Sequence, residues 1–272
     1  MDYGSRRLDG KSIVVVGAGS MGLTGWSNGK ACAAVYAREG AFVTCVDYHL
    51  DRAEEAAHVI TAEGGRAIAL RADAANQADM QSVVTKALSE TGRIDVMHNN
   101  VGVGRSKGLP DEVPLEDWNF EMTQNITSAY MGTRVVAPTM RQQGGGVIIN
   151  TSSLFALRFI KRATTAYSVS KAGVEALTRS CAAFYGRDNI RVNCIRIGFS
   201  ETPAALRYLD TSTTEEERQA QLDKTRTKVP LRGEHGTAFD VAHAAAFLAS
   251  DLAGHITGVI LNVDGGLECA AI

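Results

Sequence analysis

The chain has 272 residues, 45% of them apolar and 21% charged, with a formal net charge of −2. That length can bury the core of one α/β domain, and the near-neutral charge excludes an electrostatic footprint for nucleic acid or an anionic membrane surface. No apolar run reaches the ~18–20 residues of a membrane span. The N-terminal Met1-Asp-Tyr-Gly-Ser-Arg-Arg7 lacks the apolar stretch of a signal peptide, and the five scattered cysteines form no CxxC pair. Zinc and disulfide frameworks are therefore not expected, and a reducing cytoplasm is.

In chain order, Ser12–Val16 reads as a buried strand running into the glycine turn Gly17-Ala-Gly-Ser20. Lys30–Arg38 is a helix closed by Gly40, and Ala41–Val46 a second strand ending at Asp47. Asp51–Ala62 is an amphipathic helix and Ala67–Leu70 a third strand. This is the βαβαβ half of a dinucleotide-binding fold. Glycines let the backbone approach a pyrophosphate, the helix N-terminus supplies donors, and an acid after the second strand binds both ribose hydroxyls of NAD.

Alternation continues with a helix at Ala78–Glu90, a strand at Ile94–His98 and the stretch Asn99-Asn-Val-Gly102. A long helix, Leu115–Arg141, carries Trp118 and Asn125. The strand Val147–Thr151 ends at Ser152-Ser153, and the next helix runs from Tyr167 through Phe184. Then come a strand at Ile190–Ile195, a polar helical insert from Pro203 to about Lys228, a helix at Asp240–Ser250 and a last strand, Gly258–Val263. About seven strands alternating with helices predict a doubly wound, Rossmann-type parallel sheet with helices on both faces. No linker or repeat divides residues 1–272, so one domain is expected, with about 199–228 as a substrate lid.

Asn99, Ser152, Ser153 and Gly198 all follow strands, so they gather at the carboxyl edge of such a sheet, where ligands bind. Tyr167 and Lys171 are four residues apart and share one helix face. An ammonium beside a phenol typically lowers the phenol's pKa by ~1–3 units from ~10. That makes Tyr167 a candidate general acid/base.

With these residues assembled, the sequence resembles the short-chain dehydrogenase/reductase family over nearly its whole length. The matching stretches are Leu8-Asp-Gly-Lys11, Gly17-Ala-Gly-Ser20, Asp73, Asn99-Asn-Val-Gly102, Asn125, Ser153, Tyr167-x-x-x-Lys171, Arg191-Val-Asn193, Gly198, Thr202 and Val263-Asp-Gly-Gly266. The resemblance implies that Tyr167 exchanges a proton with the substrate oxygen and that Ser153 orients that oxygen. It implies that Lys171 binds the nicotinamide ribose, and that Asn125 holds a water linking Lys171 to solvent. Gly17, Gly19, Ser20, Gly22 and Gly29 belong to the pyrophosphate loop. Asp73 and Ala74 face the adenine; Asn99, Val101 and Gly102 line the cofactor cleft; Gly198 and Thr202 lie at the nicotinamide. A homotetramer or homodimer pairing through the Asn125 and Tyr167 helices is also implied.

Four departures stand out. Val16 replaces the usual Thr before the first glycine. The glycine loop, Gly17 to Gly29, is about six residues longer than usual. Ser153 precedes Tyr167 by 14 residues, one more than is usual, and Ile197 replaces a Pro. Residues 20–29 are expected to remain a pyrophosphate cradle, with Trp26 either covering the cofactor or pocket mouth or standing on a solvent-facing bulge.

On the substrate side, Leu154, Phe155, Phe159, Phe199, Leu206 and Tyr208 suggest an apolar chamber. Arg105, Lys107, Arg158, Lys161 and Arg162 are either solvated or placed to meet an anionic group. The expected activity is hydride transfer between NAD(H) and a secondary alcohol or ketone, with Asp47 disfavouring the 2′-phosphate of NADP. The alternatives are a reductase acting on an acyl thioester or steroid ketone, and a non-catalytic NAD-sensing protein on the same fold.

Overall fold

The computed structural model describes residues 6–21, 25–106, 108–158, 164–206 and 214–270. The strands are β1 (Ser12–Val16), β2 (Phe42–Asp47), β3 (Arg66–Arg71), β4 (Val96–Asn99), β5 (Gly146–Ser153), β6 (Ile190–Ile197) and β7 (Ile260–Val263). They form one parallel sheet in the order β3-β2-β1-β4-β5-β6-β7. The order reverses beside β1, which pairs through Val16 with Val46 on one side and Asn99 on the other. In such a sheet the ligand crevice opens at the carboxyl ends of the strands flanking that reversal.

The all-apolar run of β1 has a simple cause. Every residue in it is buried, with Ile13 and Val15 in the core on one face and Val14 and Val16 in the core on the other. A strand covered on both faces has no polar side to present. One layer is built on α1 (Asn28–Arg38), α2 (Leu50–Ala62) and α9 (Ala238–Ala249). Alanines along α1 and α9 let these helices pack closely against the sheet and each other. The opposite layer uses α3 (Gln77–Thr91), α5 (Ser128–Gln142) and α6 (Thr165–Tyr185). Each fully buried Val or Ile contributes roughly 1.5–3 kcal/mol relative to exposure.

Two helical expectations are refined. The helix foreseen from 115 to 141 is α4 (Leu115–Glu121), a π turn (Met122–Thr127) and α5. The wider turn carries buried Asn125, whose carboxamide clamps the strand-end loop across from it. Those hydrogen bonds offset what the turn loses in ideal geometry. The polar insert contains α7 (Pro203–Leu206) and α8 (Glu215–Arg226). Thr214 and Glu217 form a capping box on α8, which has no buried residue. Of the five cysteines, Cys32, Cys45 and Cys194 are buried. Burial pushes the Cys45 and Cys194 thiols up to about 12, so both stay protonated and inert.

Candidate active site at the carboxyl edge of the sheet

The glycine turn after β1 is shaped by close backbone approach. Gly17 has φ 81°, donates its N–H to Val46, and leaves no room for a side chain against Val101 N, which a Cβ would meet at 3.3 Å. A Cβ on Gly19 would meet Asp47 Oδ2 at 2.6 Å, and on Gly29 it would overlap the Gly17 carbonyl oxygen. Close packing therefore singles out Gly17, Gly19 and Gly29 of the turn, with Ser20 buried beside them. Gly22 lies outside the described residues.

Helix α1 begins at Asn28, as the position of Gly29 suggested. Its cap is Ser27, which accepts from Lys30 N at 3.1 Å and donates to Gly19 O at 2.7 Å. One side chain thus caps the helix and closes the turn. Sequence reasoning missed Ser27, although a Ser directly before a helical run is a standard N-cap signal. Asp47 stands at the end of β2, with Oδ2 accepting from Gly19 N at 3.1 Å and Oδ1 from His49 N at 3.0 Å. Asp73 closes a short turn after β3 by accepting from Ala75 N at 2.9 Å, and Ala74 beside it is buried.

Trp26 occupies neither of the positions considered for it. Its ring packs 4.8 Å from that of Phe239 on α9, with the Lys30 ammonium 4.9 Å from its centroid. Lys30 is itself buried and paired with Glu55 at 2.7 Å. The enlarged loop is thus anchored into the α1–α9 layer. Its Gly25 comes close enough to Pro203 that a Cβ would meet the ring at 3.1 Å.

After β4 the two asparagines divide their work. Asn99 turns its carboxamide into the layer below the cleft, donating to Asn150 Oδ1 at 2.9 Å and to Ala129 O at 3.3 Å. What Asn99 offers the cleft is therefore its backbone. Asn100 reaches across the sheet edge and donates to Gly17 O at 3.1 Å. Val101 and Gly102 continue along the edge: Val101 O accepts from Lys171 Nζ at 2.9 Å, and a Cβ on Gly102 would meet that Nζ at 3.2 Å and Tyr167 Oη at 3.9 Å.

Lys171 and Tyr167 thus border the same glycine. Lys171 is almost wholly buried, and its ammonium also donates to Thr151 O at 2.9 Å. Burial lowers its pKa to about 8. Ser170 between them donates to Tyr167 O at 2.8 Å and accepts from Asn125 Nδ2 at 2.9 Å. Asn125 also accepts from Val103 N at 2.8 Å and donates to Val103 O at 2.9 Å. Its oxygen and both amide hydrogens are engaged, so its side chain fixes the loop after β4. The role of Ser170 was not legible in sequence, because a small polar residue on a helix interior has many ordinary explanations.

Geometry separates the two serines at the end of β5. Ser152 turns away from the cleft, with its hydroxyl bonded to Glu175 Oε1 at 2.9 Å and Lys171 O at 3.2 Å. Glu175 is in turn held by Arg196 in a buried two-pronged pair. Ser153 faces the other side and accepts a long 3.4 Å bond from Phe155 N. The Phe155 ring stands edge-on to Tyr167, 5.8 Å between centroids, so the end of β5 and the first turn of α6 converge.

Gly198 sits where the C-terminal Asp264 crosses, since a Cβ there would meet that backbone at 2.7 Å. Thr202 is buried and caps α7 by accepting from Ala205 N at 3.3 Å. Leu154, Phe199, Val229 and Leu267 pack together beside the cleft, which brings the C-terminal segment into its wall. Arg105 pairs with Asp117 at 2.7 Å, and Arg158 donates to Ala270 O at 2.6 Å. Both cations are therefore engaged within the chain; Lys107, Phe159, Lys161, Arg162 and Tyr208 lie outside the described residues.

Comparison with known proteins places this arrangement. Residues 23–268 match the model of the enoyl-(acyl carrier protein) reductase family. Glucose 1-dehydrogenase 2 of Bacillus subtilis is 35% identical over 263 residues, covering 96% of this chain and 95% of that one. A crystal structure of a putative short-chain dehydrogenase/reductase from Burkholderia xenovorans superposes with a TM-score of 0.92 at 34% identity, covering 98% and 99% of the two chains. A 7α-hydroxysteroid dehydrogenase complexed with NADH and 7-oxo glycochenodeoxycholic acid superposes with a TM-score of 0.85 at 33% identity, covering 96% of each. The chain belongs to the short-chain dehydrogenase/reductase family of NAD(P)-using oxidoreductases.

Proposed function

We propose that this oxidoreductase transfers hydride between NAD(H) and a secondary alcohol or ketone, using Tyr167 as its acid/base. The observation that carries this reading is the buried Lys171 ammonium, which borders Gly102 together with the Tyr167 hydroxyl, beside a glycine cradle. The turn suits a dinucleotide: at Gly17, Gly19 and Gly29 the backbone packs against Val101, Asp47 and the Gly17 carbonyl too closely for a side chain, which brings the strand-to-helix turn and the N-terminus of α1 together as a pyrophosphate site requires. The nicotinamide supplies the hydride acceptor or donor at its C4.

The chain's own residues handle position and proton. Ser153 donates its hydroxyl to the substrate oxygen. Tyr167 takes the proton from that oxygen during oxidation and returns it during reduction. Lys171 keeps two of its three donors on Val101 O and Thr151 O, leaving the third for a ribose hydroxyl. Its positive charge favours the Tyr167 phenolate. Asn125 acts by position, locking the Val103 backbone two residues beyond the carbonyl that holds Lys171. Residues 199–228 form the substrate lid. Asp47 favours NAD, because its carboxylate lies against Gly19, where a 2′-phosphate would meet like charge.

Exposed Tyr130, Val169 and Phe184 on α5 and α6 support assembly into a homotetramer through those helices. Light scattering at micromolar concentration tests it, and a monomer would refute it.

A second reading, a reductase acting on an acyl thioester, is favoured by the description of the matching family model. One screen separates the readings: NADH-band absorbance with secondary alcohols, aldoses, hydroxysteroids and 3-oxoacyl thioesters. Turnover only in the reducing direction on a thioester selects the second. No turnover with tight NADH binding would favour a sensor. Comparing kcat/KM for NAD and NADP tests the role of Asp47, and a higher value with NADP would contradict it.

A further inference from the structure

His98 is fully buried on β4 and stands in none of the steps above. Its Nδ1 lies 2.9 Å from the hydroxyl of Tyr36, itself fully buried in α1. Its Nε2 lies 3.2 Å from Thr151 Oγ1. Thr151 Oγ1 lies 3.2 Å from Asn100 Oδ1, and Asn100 Nδ2 donates to Gly17 O at 3.1 Å. Four hydrogen bonds therefore run from the last turn of α1, under the sheet edge, to the first residue of the glycine turn.

The direction of every proton in this chain is fixed from its far end. A backbone carbonyl only accepts, so Asn100 presents its NH₂ to Gly17 and its Oδ1 to Thr151. Thr151 has one proton and gives it to Asn100, so its hydroxyl accepts from His98 Nε2–H. The other ring nitrogen of a neutral imidazole then accepts, and Tyr36 donates to it. Burial keeps the ring neutral by pushing the His98 pKa down to about 3, and it raises that of Tyr36.

The end of the chain is where position matters most. The Gly17 carbonyl is the atom that a Cβ on Gly29 would overlap, and the same Cβ would come within 2.6 Å of Asn100 Nδ2. The Asn100–Gly17 hydrogen bond thus lies directly against the first turn of α1, which Ser27 caps from the other side. The chain lacks the threonine that usually ties this turn, carrying Val16 instead. Thr151 also joins the two halves of the site, because its carbonyl holds Lys171.

We propose that Tyr36 and His98 are positioning residues for the dinucleotide, setting Asn100 against Gly17 through Thr151 and so fixing the start of α1. This rests on the family's NAD(P) use, but not on which substrate is turned over.

Two measurements test it. In ¹⁵N NMR of the ligand-free protein, His98 should be the neutral Nε2–H tautomer, its signals assigned by their loss in His98→Val. The Nδ1–H tautomer or an imidazolium at pH 7 would overturn the proton directions. The second is NADH affinity by fluorescence titration. Tyr36→Phe, which leaves His98 Nδ1 buried without its donor, should weaken binding about tenfold. At saturating cofactor, kcat and substrate KM should stay within about twofold.

The double variant Tyr36→Phe/His98→Val removes both polar groups, so its Tm should return toward wild type. Its NADH affinity should remain about fivefold weak, because Thr151 has lost its ordering partner. A double variant that regains wild-type affinity along with Tm would reduce the pair to core packing and overturn the proposal. A wild-type protein that binds no dinucleotide, yet shows the Nε2–H tautomer, would instead overturn the cofactor reading above.

Discussion

The glycine turns and the polar insert, which we propose as the cofactor and substrate sides of the cleft, are built on different rules. Around Gly17, Gly19 and Gly29, backbone touches backbone, and Ser27, Asp47 and Asn100 tie the turns by hydrogen bonds of 2.7–3.1 Å. The polar insert ends in α8, a helix with no buried residue, whose Arg226 pairs with Glu201 just ahead of the same insert. A site where hydride must land on one carbon needs the first kind of construction. A wall that adapts to a substrate tolerates the second. Substitutions on the two sides should therefore differ in size and in which constant they move.

The largest effect is expected at Lys171, which serves both sides. Lys171→Ala should lower kcat about 10³-fold or more and weaken NAD binding together. A variant that loses turnover while binding NAD normally would separate roles that the geometry joins. The same variant reads out the buried charge. The native pKa of Lys171 is lowered to about 8, below the ~10.4 of the unfolded chain. Burying its ammonium costs stability in full below pH 8, and that cost is relieved as pH rises toward ~10.4. Denaturant titrations should show wild type gaining stability relative to Lys171→Ala across that window.

Next is Gly29→Ala, whose methyl would overlap the Gly17 carbonyl. Displacing the first turn of α1 should cost about 1–3 kcal/mol of stability. It should also raise the NAD Kd more than tenfold, with substrate KM little changed. Equal losses in both constants would mean that the two sides are not separately built.

The smallest effect concerns the enlarged loop. Trp26→Ala should cost about 2 kcal/mol, since the ring packs on Phe239 and under Lys30. Its KM values for NAD and substrate should stay within about threefold. A tenfold change in either would put Trp26 at the cleft, one of the two positions the sequence left open.

The same contrast explains what could be read from the sequence. The order of strands and helices was legible because buried parallel strands leave unbroken apolar runs, as in Ile13–Val16. The Gly17 and Gly19 turn was legible because glycine is the only residue tolerated there. The choice between Ser152 and Ser153 had only spacing behind it until the Glu175–Arg196 pair showed what Ser152 does. The position of Trp26 was hidden because its partner, Phe239, is more than two hundred residues away. Asn125 was legible as a residue, but its clamp on Val103 and Ser170 was not, because a π turn and three hydrogen bonds leave no periodic trace. Whether Arg105 and Arg158 stand in solvent or meet an anion was open in the sequence because their partners, Asp117 and the Ala270 carbonyl, are distant in it.

The central claim, that Tyr167 moves the proton while hydride moves, is tested most directly by the pH dependence of NADH formation in wild type and Tyr167→Phe. Wild-type oxidation should rise with pH through a single ionisation below the ~10 of a free tyrosine. Tyr167→Phe should lose about 10²–10⁴-fold in kcat along with that ionisation, while NAD affinity stays near wild type. A Tyr167→Phe enzyme with near-normal kcat and an unchanged pH profile would contradict the assignment.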